Sequence, residues 1–230
     1  MAGSIPARRT IFITRAPMIN LHSHTIHSDG CLLPSEIAVR YAAAGYKVLA
    51  ITDHVDASNI EAVVFSVVRF CEAWPKSAPI KVLPGVELTH LPLEQFKPLA
   101  RYARRHGIKV IVAHGQTPVE PVIPGTNRAA LEAGIDILAH PGRISDADAR
   151  LAKKRGVFLE VTSRKGHCLT NSFVVRQALK FGCRLVLNHD SHAPLDIISP
   201  AKTAGIAVKA GLTAEQIDSI YEGLKKWRIR

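Results

Sequence analysis

Short apolar runs rich in valine and isoleucine recur along the chain, and each closes on residues able to bind a metal or a phosphate. Seven runs stand out: Ile19-Asn-Leu-His-Ser-His24, Val48-Leu-Ala-Ile-Thr-Asp-His54, Val82-Leu-Pro-Gly-Val-Glu87, Val110-Ile-Val-Ala-His114, Ile135-Asp-Ile-Leu-Ala-His140, Val157-Phe-Leu-Glu-Val-Thr-Ser-Arg164 and Leu185-Val-Leu-Asn-His-Asp-Ser-His192. Runs of this length and composition predict buried strands. Helix signals fill the intervals: from Pro34 through Tyr41 with a stop near Gly45, then over approximately 58–73, 93–106, 126–133, 145–155, 170–181 and 200–209. Proline at the start and glycine at the end mark the first of them. The last helix opens with Thr213-Ala-Glu-Gln216, a capping-box pattern, and repeats apolar residues at Ile217, Ile220, Tyr221, Leu224 and Trp227.

Strand and helix alternating with short connections predict an α/β protein with a parallel sheet. A parallel barrel collects its chemistry at the C-terminal ends of its strands, so the seven endings are expected to form one ring. One connection is long. His114 to Thr126 contains Pro118, Pro121, Pro124 and Gly125, and because it follows a strand it should lie over that face as a stiff lid or wall. An inert surface loop is the alternative.

At 230 residues and 47% hydrophobic content, the chain can bury one sizeable core, expected over residues 18–230 with residues 1–17 as an arm. No apolar stretch approaches the roughly 20 residues that cross a bilayer. Arg8, Arg9 and Arg15 lie early in the chain, but Ile11-Phe-Ile13 is too short for a signal-peptide core, so a cytoplasmic protein is expected. Cys31, Cys71, Cys168 and Cys183 are scattered without a C-x-x-C pair, which gives no sign of a zinc knuckle or disulfide framework. Cys31 and Cys168 follow motif segments and are candidates for places near the site.

The net charge of +11 invites a nucleic-acid partner. Its distribution tempers that reading. Arg101, Arg104, Arg105, Lys153, Lys154, Arg155, Lys225 and Lys226 fall late in predicted helices, where cations complement the helix dipole on the face opposite the strand endings. Arg143, Arg164 and Lys165 instead follow strand endings.

His22-Ser-His24 places two imidazoles on one side of a strand. Imidazole suits zinc, manganese and iron ions. Asp29 follows, before a glycine that lets the chain turn; His54, Glu87, His114, His140, Asp190 and His192 then close further strands. Any one of these has a structural explanation, as a buried histidine bonded to a carbonyl or a carboxylate capping a helix. Six strand ends carrying ligand-type residues in one ring do not.

The chain resembles the PHP (polymerase and histidinol phosphatase) family. Its motifs match in order: His22-Ser-His-Thr-Ile-His-Ser-Asp-Gly30, Thr52-Asp-His54, the wall histidines His114 and His140, and Asn188-His-Asp-Ser-His192. The resemblance implies a single-domain distorted (β/α)7 barrel with three divalent metal ions. It assigns His22, His24, Glu87 and Asp190 to the first metal, Asp29, His54 and His192 to the second, and His114 and His140, with Glu87 bridging, to the third.

A close cluster of metal ions fits phosphoester hydrolysis, since two can share and activate a water while a third neutralises charge on phosphorus. Asp190 and His192 are then the ligands closest to the chemistry. Arg164 is the candidate phosphate clamp because its planar fork suits two oxygens, with Lys165 and Arg143 assisting; the alternative for Arg164 is a surface salt bridge. His167 is a candidate to reach the substrate or protonate the leaving oxygen. His27 is read as a supporting residue or extra ligand, His189 as structural, and His106 as a helix-end contact; His90 has no motif context.

The leading reading is a phosphatase acting on a small phosphomonoester. The alternative is a phosphodiesterase or exonuclease using the same centre, against which stand an aromatic content of 6% and the lack of an aromatic-rich basic stretch. An amidohydrolase-like barrel also begins with H-x-H, but such enzymes often carry a modified lysine at the fourth strand, where this chain has His114. The generic first motif does not single out histidinol phosphate as substrate.

Overall fold

Seven strand positions follow one another around the sheet in chain order, all parallel, in a computed structural model that describes residues 18–227. The elements are β1 (Ile19–Asn20), α1 (Pro34–Ala43), β2 (Val48–Ile51), β3 (His54–Val55), α2 (Ile60–Ala73), β4 (Lys81–Leu88), α3 (Phe96–Arg105), β5 (Val110–His114), α4 (Thr126–Glu132), β6 (Ile137–Ala139), α5 (Asp146–Arg155), β7 (Phe158–Thr162), α6 (Asn171–Phe181), β8 (Arg184–Asn188), α7 (Pro200–Lys209) and α8 (Ala214–Lys226). The sheet runs β1-β2-β4-β5-β6-β7-β8, and β3 pairs with β4 beside that path. The expected arm, residues 1–17, lies outside the described residues.

The second predicted run, Val48 to His54, is one strand position in two pieces. Thr52 and Asp53 interrupt it because their side chains serve the segment after β1. Thr52 Oγ1 accepts from Ser23 N at 3.0 Å, and Thr52 N donates to Ser23 O at 2.8 Å. The Asp53 carboxylate accepts from Thr25 N at 2.6 Å, Thr25 Oγ1 at 2.8 Å and Ser28 Oγ at 2.8 Å. Asp53 therefore fixes the turn that carries Asp29.

Between β8 and β1 the barrel closes through side chains. Leu21 N donates to Asn188 Oδ1 and His189 N to Asn20 Oδ1, each at 2.8 Å. Above them Asp190 N meets His22 O at 3.2 Å and His24 N meets Ser191 O at 2.9 Å. Two asparagines thus satisfy backbone groups that a ladder would otherwise pair, and the seam is distorted where the metal motifs meet.

Helix ends follow the sequence signals. Pro34 opens α1, Gly45 sits at φ +97 beyond it, and Thr213 and Gln216 form the capping box of α8. Arg104 and Arg105, then Lys153, Lys154 and Arg155, then Lys225 and Lys226 occupy the last turns of α3, α5 and α8. His106 Nδ1 lies 2.9 Å from Tyr102 O at the end of α3, the helix-end contact expected of it. Among the described residues, no helix is long and apolar enough to cross a membrane.

Candidate metal centre

Four donor atoms converge just past β1 and β8 and at the end of β4. His22 Nε2 lies 3.3 Å from Glu87 Oε2 and 3.6 Å from Asp190 Oδ1; His24 Nε2 lies 3.6 Å and 3.1 Å from the same two oxygens. Two donors bound at about 2.1 Å to one tetrahedral ion stand about 3.4 Å apart, the spacing seen here. All four side chains are buried.

A second group forms at the rim. Asp29 Oδ1 is 3.5 Å from His54 Nε2, and its Oδ2 is 3.2 Å from His192 Nε2. The rings of His54 and His192 flank His24 at centroid distances of 4.1 and 4.2 Å. Glu87 joins the groups, with Oε2 2.8 Å from His54 Nδ1 and Oε1 3.9 Å from His140 Nε2.

The third group gathers His114, His140 and His167, whose nitrogens fall within 4.8 Å of one another. The ring of His140 stacks on His167 at 4.1 Å and meets His114 edge-on at 4.4 Å. Glu120, from the long loop after β5, reaches the same place, with Oε2 2.9 Å from His114 Nε2 and Oε1 3.3 Å from His167 Nε2. The loop does cover the strand-end face.

Proton placement tests whether this set fits cations. His192 Nδ1 lies 3.1 Å from Asp190 O, and His114 Nδ1 lies 3.1 Å from Gly115 O. Those carbonyls can only accept, so each Nδ1 carries the proton. His22 Nδ1 likewise donates to Glu160 Oε1 at 2.8 Å. His54 Nδ1 is 2.6 Å from Thr89 Oγ1, whose own hydrogen goes to Glu87 O. In its neutral form each ring would then aim a bare Nε2 at carboxylate oxygens. Acceptor facing acceptor is repulsive without a positive charge between, and a buried bare donor set of imidazole and carboxylate is what a divalent cation takes. Both oxygens of Glu87, both nitrogens of His24 and Nε2 of His22 lack hydrogen-bond partners despite being buried.

The buried carboxylates call for positive charge at His22, which either a second proton on its ring or a cation would supply. Burial pulls the His22 imidazole down, yet Glu87, Glu160 and Asp190 outweigh it and hold its pKa well above the ordinary value. Burial, His54 and His22 push His24 well below it. Burial lifts Asp190 against the pull of His22. Three non-glycine residues among those described have positive φ, His90 (53), His140 (27) and Asp190 (53), and all three line the cleft. Backbone strain concentrated at one site is a mark of function.

Four residues the sequence reading passed over support this arrangement. Glu160 interrupts the apolar run of β7 and is fully buried; it takes bonds from His22 Nδ1, from Asn188 Nδ2 at 2.8 Å and from His140 N at 3.1 Å. A carboxylate inside an apolar strand was the available signal. Asp53 organises the Asp29 turn, Glu120 enters from the loop, and Asp196 receives Arg164 Nη1 at 3.2 Å and His192 N at 2.9 Å. Asp53 and Glu120 meet residues of other elements, and Asp196 joins a nearby backbone cap to an arginine 32 residues away, so no local pattern marks their roles.

The cleft has a volume of about 450 Å³ and is lined by Asp29, His54, His114, His140, Asp190, His192, Arg164 and His167 among others. Among the described residues, Arg164 is the single lysine or arginine in that lining. His167 is buried, with Nδ1 2.7 Å from Thr117 Oγ1. Arg143 and Lys165 are exposed and outside the lining, Arg143 lying 5.9 Å from the Phe173 ring instead. His27, Cys31 and Cys168 also lie outside the lining, although Cys31 N donates to His192 O at 2.8 Å. His189 turns away from the donor cluster, its ring held by Tyr41, Tyr46 and Thr203 at 2.8–3.1 Å, as its alternation with Asp190 predicted.

Comparison with known proteins places this geometry. The PHP domain profile matches residues 20–132. An uncharacterized protein of Methanocaldococcus jannaschii is 38% identical over 205 residues, covering 87% of this chain and 93% of that protein. The DNA polymerase/3'-5' exonuclease PolX of Bacillus subtilis is 24% identical over 84% of this chain, a match that spans 37% of PolX. In fold, the chain is similar to the histidinol phosphate phosphatase of Lactococcus lactis (TM-score 0.60, 16% identity, 85% of this chain and 94% of that one), solved with zinc, L-histidinol and phosphate. It is also similar to a Xaa-Pro dipeptidase (TM-score 0.62, 10% identity, 91% and 74% coverage), which at that identity speaks for the barrel alone. The profile match, the long archaeal match and the ordered metal motifs agree: the chain belongs to the PHP domain family, the metal-dependent phosphoester hydrolases that its motifs resemble.

Proposed function

We propose that the protein is a metal-dependent phosphatase that hydrolyses a small phosphomonoester at a trinuclear centre. The observation that carries the reading is the convergence of bare Nε2 atoms and carboxylate oxygens at the spacing of metal donors. In this reading His22, His24, Glu87 and Asp190 hold one cation. Asp29, His54 and His192 hold a second, and His114 and His140, with Glu87 bridging, hold a third. Zinc, manganese and iron are the candidates, as the imidazole-rich set suits them. Bound there, such ions lower the pKa of a water and draw charge from a phosphoryl oxygen.

The chain's own residues do the rest. Asp190 presents Oδ1 to His24 and Oδ2 to His140, 3.7 Å away, so one carboxylate spans two groups. With His192 it fixes the inner wall against which the phosphate would react. Arg164 is held by Asp196 and faces the cleft, where its second amino group remains to clamp phosphate oxygens. Lys165 and Arg143, being exposed outside the lining, serve at most to attract an anion. His167 faces the cleft from the loop side, where it serves either the leaving oxygen or the third cation.

Cleft volume and, among the described residues, a single lining arginine and no lining phenylalanine, tyrosine or tryptophan favour a small polar phosphomonoester over an oligonucleotide. The similarity to PolX supports the second reading, a phosphodiesterase or exonuclease at the same centre. A hydrolysis screen with measured metal content decides between them, comparing sugar and amino-acid phosphates, nucleotides and short oligonucleotides. Turnover of small monoesters is expected, lost together with bound metal in Asp190→Asn and His54→Ala. Salt-sensitive cleavage of oligonucleotides alone would replace the phosphatase reading with the exonuclease one.

A further inference from the structure

The long loop after β5 does more than cover the cleft: it places a carboxylate against three imidazoles. Glu120 Oε2 lies 2.9 Å from His114 Nε2 and 3.4 Å from His90 Nε2, and Oε1 lies 3.3 Å from His167 Nε2. The proton on His114 is committed to Nδ1, because the Gly115 carbonyl beside it can only accept. In the neutral ring that proton is the only one, which leaves His114 Nε2 and Glu120 Oε2 as two acceptors 2.9 Å apart. A cation between them removes the repulsion, and 2.9–3.4 Å is the separation of donors sharing one ion.

We propose that Glu120 and His167 are loop-side ligands of the cation held by His114 and His140, so that occupancy of this site draws residues 115–125 down over the cleft. The proposal rests on the third-site assignment above and adds ligands that the family motifs do not contain. Several features suit it. Pro118, Pro121 and Pro124 stiffen the segment that carries Glu120. Thr117, three residues before Glu120, bonds His167 Nδ1 and so turns Nε2 of that ring toward the same point. Gln116 is tied at its backbone N to Asn127 Oδ1 at 2.9 Å, which anchors the loop base beside α4. His90, at φ +53 and 44% side-chain exposure, stands at the outer edge of the group as an entry-side donor. A loop closed by the cation also excludes water from the site, and its opening would gate the exchange of substrate and product.

The test uses the full chain stripped of metal and titrated with Zn²⁺ or Mn²⁺, reading bound metal per chain and amide hydrogen exchange in peptides covering 115–125. In the wild type, the last equivalent bound should slow exchange in that segment. Glu120→Ala, on an exposed loop where folding is not at stake, should weaken that equivalent by at least the roughly 10–100-fold that even outer partners of a metal ligand are worth, and abolish the exchange response. His140→Ala separates the two failures. If His140→Ala loses the equivalent while Glu120→Ala keeps both its affinity and the loop response, Glu120 is no ligand and the proposal falls alone. If neither substitution changes stoichiometry, the third-site assignment falls, and the proposal with it.

Discussion

The Glu160 carboxylate lies 2.8 Å from His22 Nδ1, and both side chains are fully buried. Its two oxygens also take bonds from Asn188 Nδ2 and His140 N, so one residue of β7 ties the candidate ligands after β1 and β6 to the seam asparagine of β8. Glu160→Gln keeps the size but turns one oxygen into a donor facing donors. Metal affinity should fall about 10–100-fold while the circular dichroism spectrum stays that of the wild type. An unchanged binding isotherm would mean that the carboxylate only fills space.

Asp53 is expected to act on the second metal group without touching it. Its bonds to Thr25 and Ser28 hold the turn leading to Asp29, whose side chain is 56% exposed and has little packing of its own. Asp53→Ala leaves buried donors unsatisfied, at about 1–3 kcal/mol. One equivalent of metal should bind more weakly, with His22 and His24 still loaded, as read by metal titration with elemental analysis. Loss of all metal at once would show that the groups are not separable in this way.

Arg164 and Asp196 should separate clamping from positioning. Arg164→Ala removes a charged hydrogen-bonding group worth about 1.5–3 kcal/mol, which predicts roughly a 10- to 100-fold loss of kcat/KM on a phosphomonoester with metal content unchanged. Asp196 also caps the backbone of His192 and Ala193, both at 2.9 Å, so Asp196→Asn should disturb both KM and second-site metal. Equal effects of the two substitutions on metal binding would contradict the division.

Gly142 carries the backbone past the loop base. It sits at φ +62, and a Cβ there would run into Gln116 O. Gly142→Ala combines a left-handed backbone penalty with that contact, of order 1–3 kcal/mol. At about 2–4 °C per kcal/mol for a chain of this length, calorimetry should show a melting temperature lower by several degrees. Stability at the wild-type level would show that the Gln116 segment yields freely.

The repeating apolar runs determined the strands, their number and their parallel order, because burial on both faces demands continuous apolar residues and helical crossovers demand the intervals between them. The strand endings also pointed to the candidate donors from His22 to His192, since alternation along a strand decides which side chains share a face. That logic also placed His189 away from the candidate donors, where its ring meets Tyr41, Tyr46 and Thr203. It could not see that Thr52 and Asp53 break the second strand, because their partners lie 28–29 residues away. Nor could it separate Arg164 from Arg143 and Lys165: all three follow strand ends, and only the turns at Gly142 and Gly166 and the pull of Asp196 decide which enters the cleft. Glu160 and Glu120 were hidden for the same reason. A side chain's type is local, but what it touches depends on how distant strands and loops pack. The sequence by itself therefore determined the barrel and its metal-binding chemistry. Only the tertiary structure decided which residues hold those candidate ligands in place and which side chain the long loop brings to them.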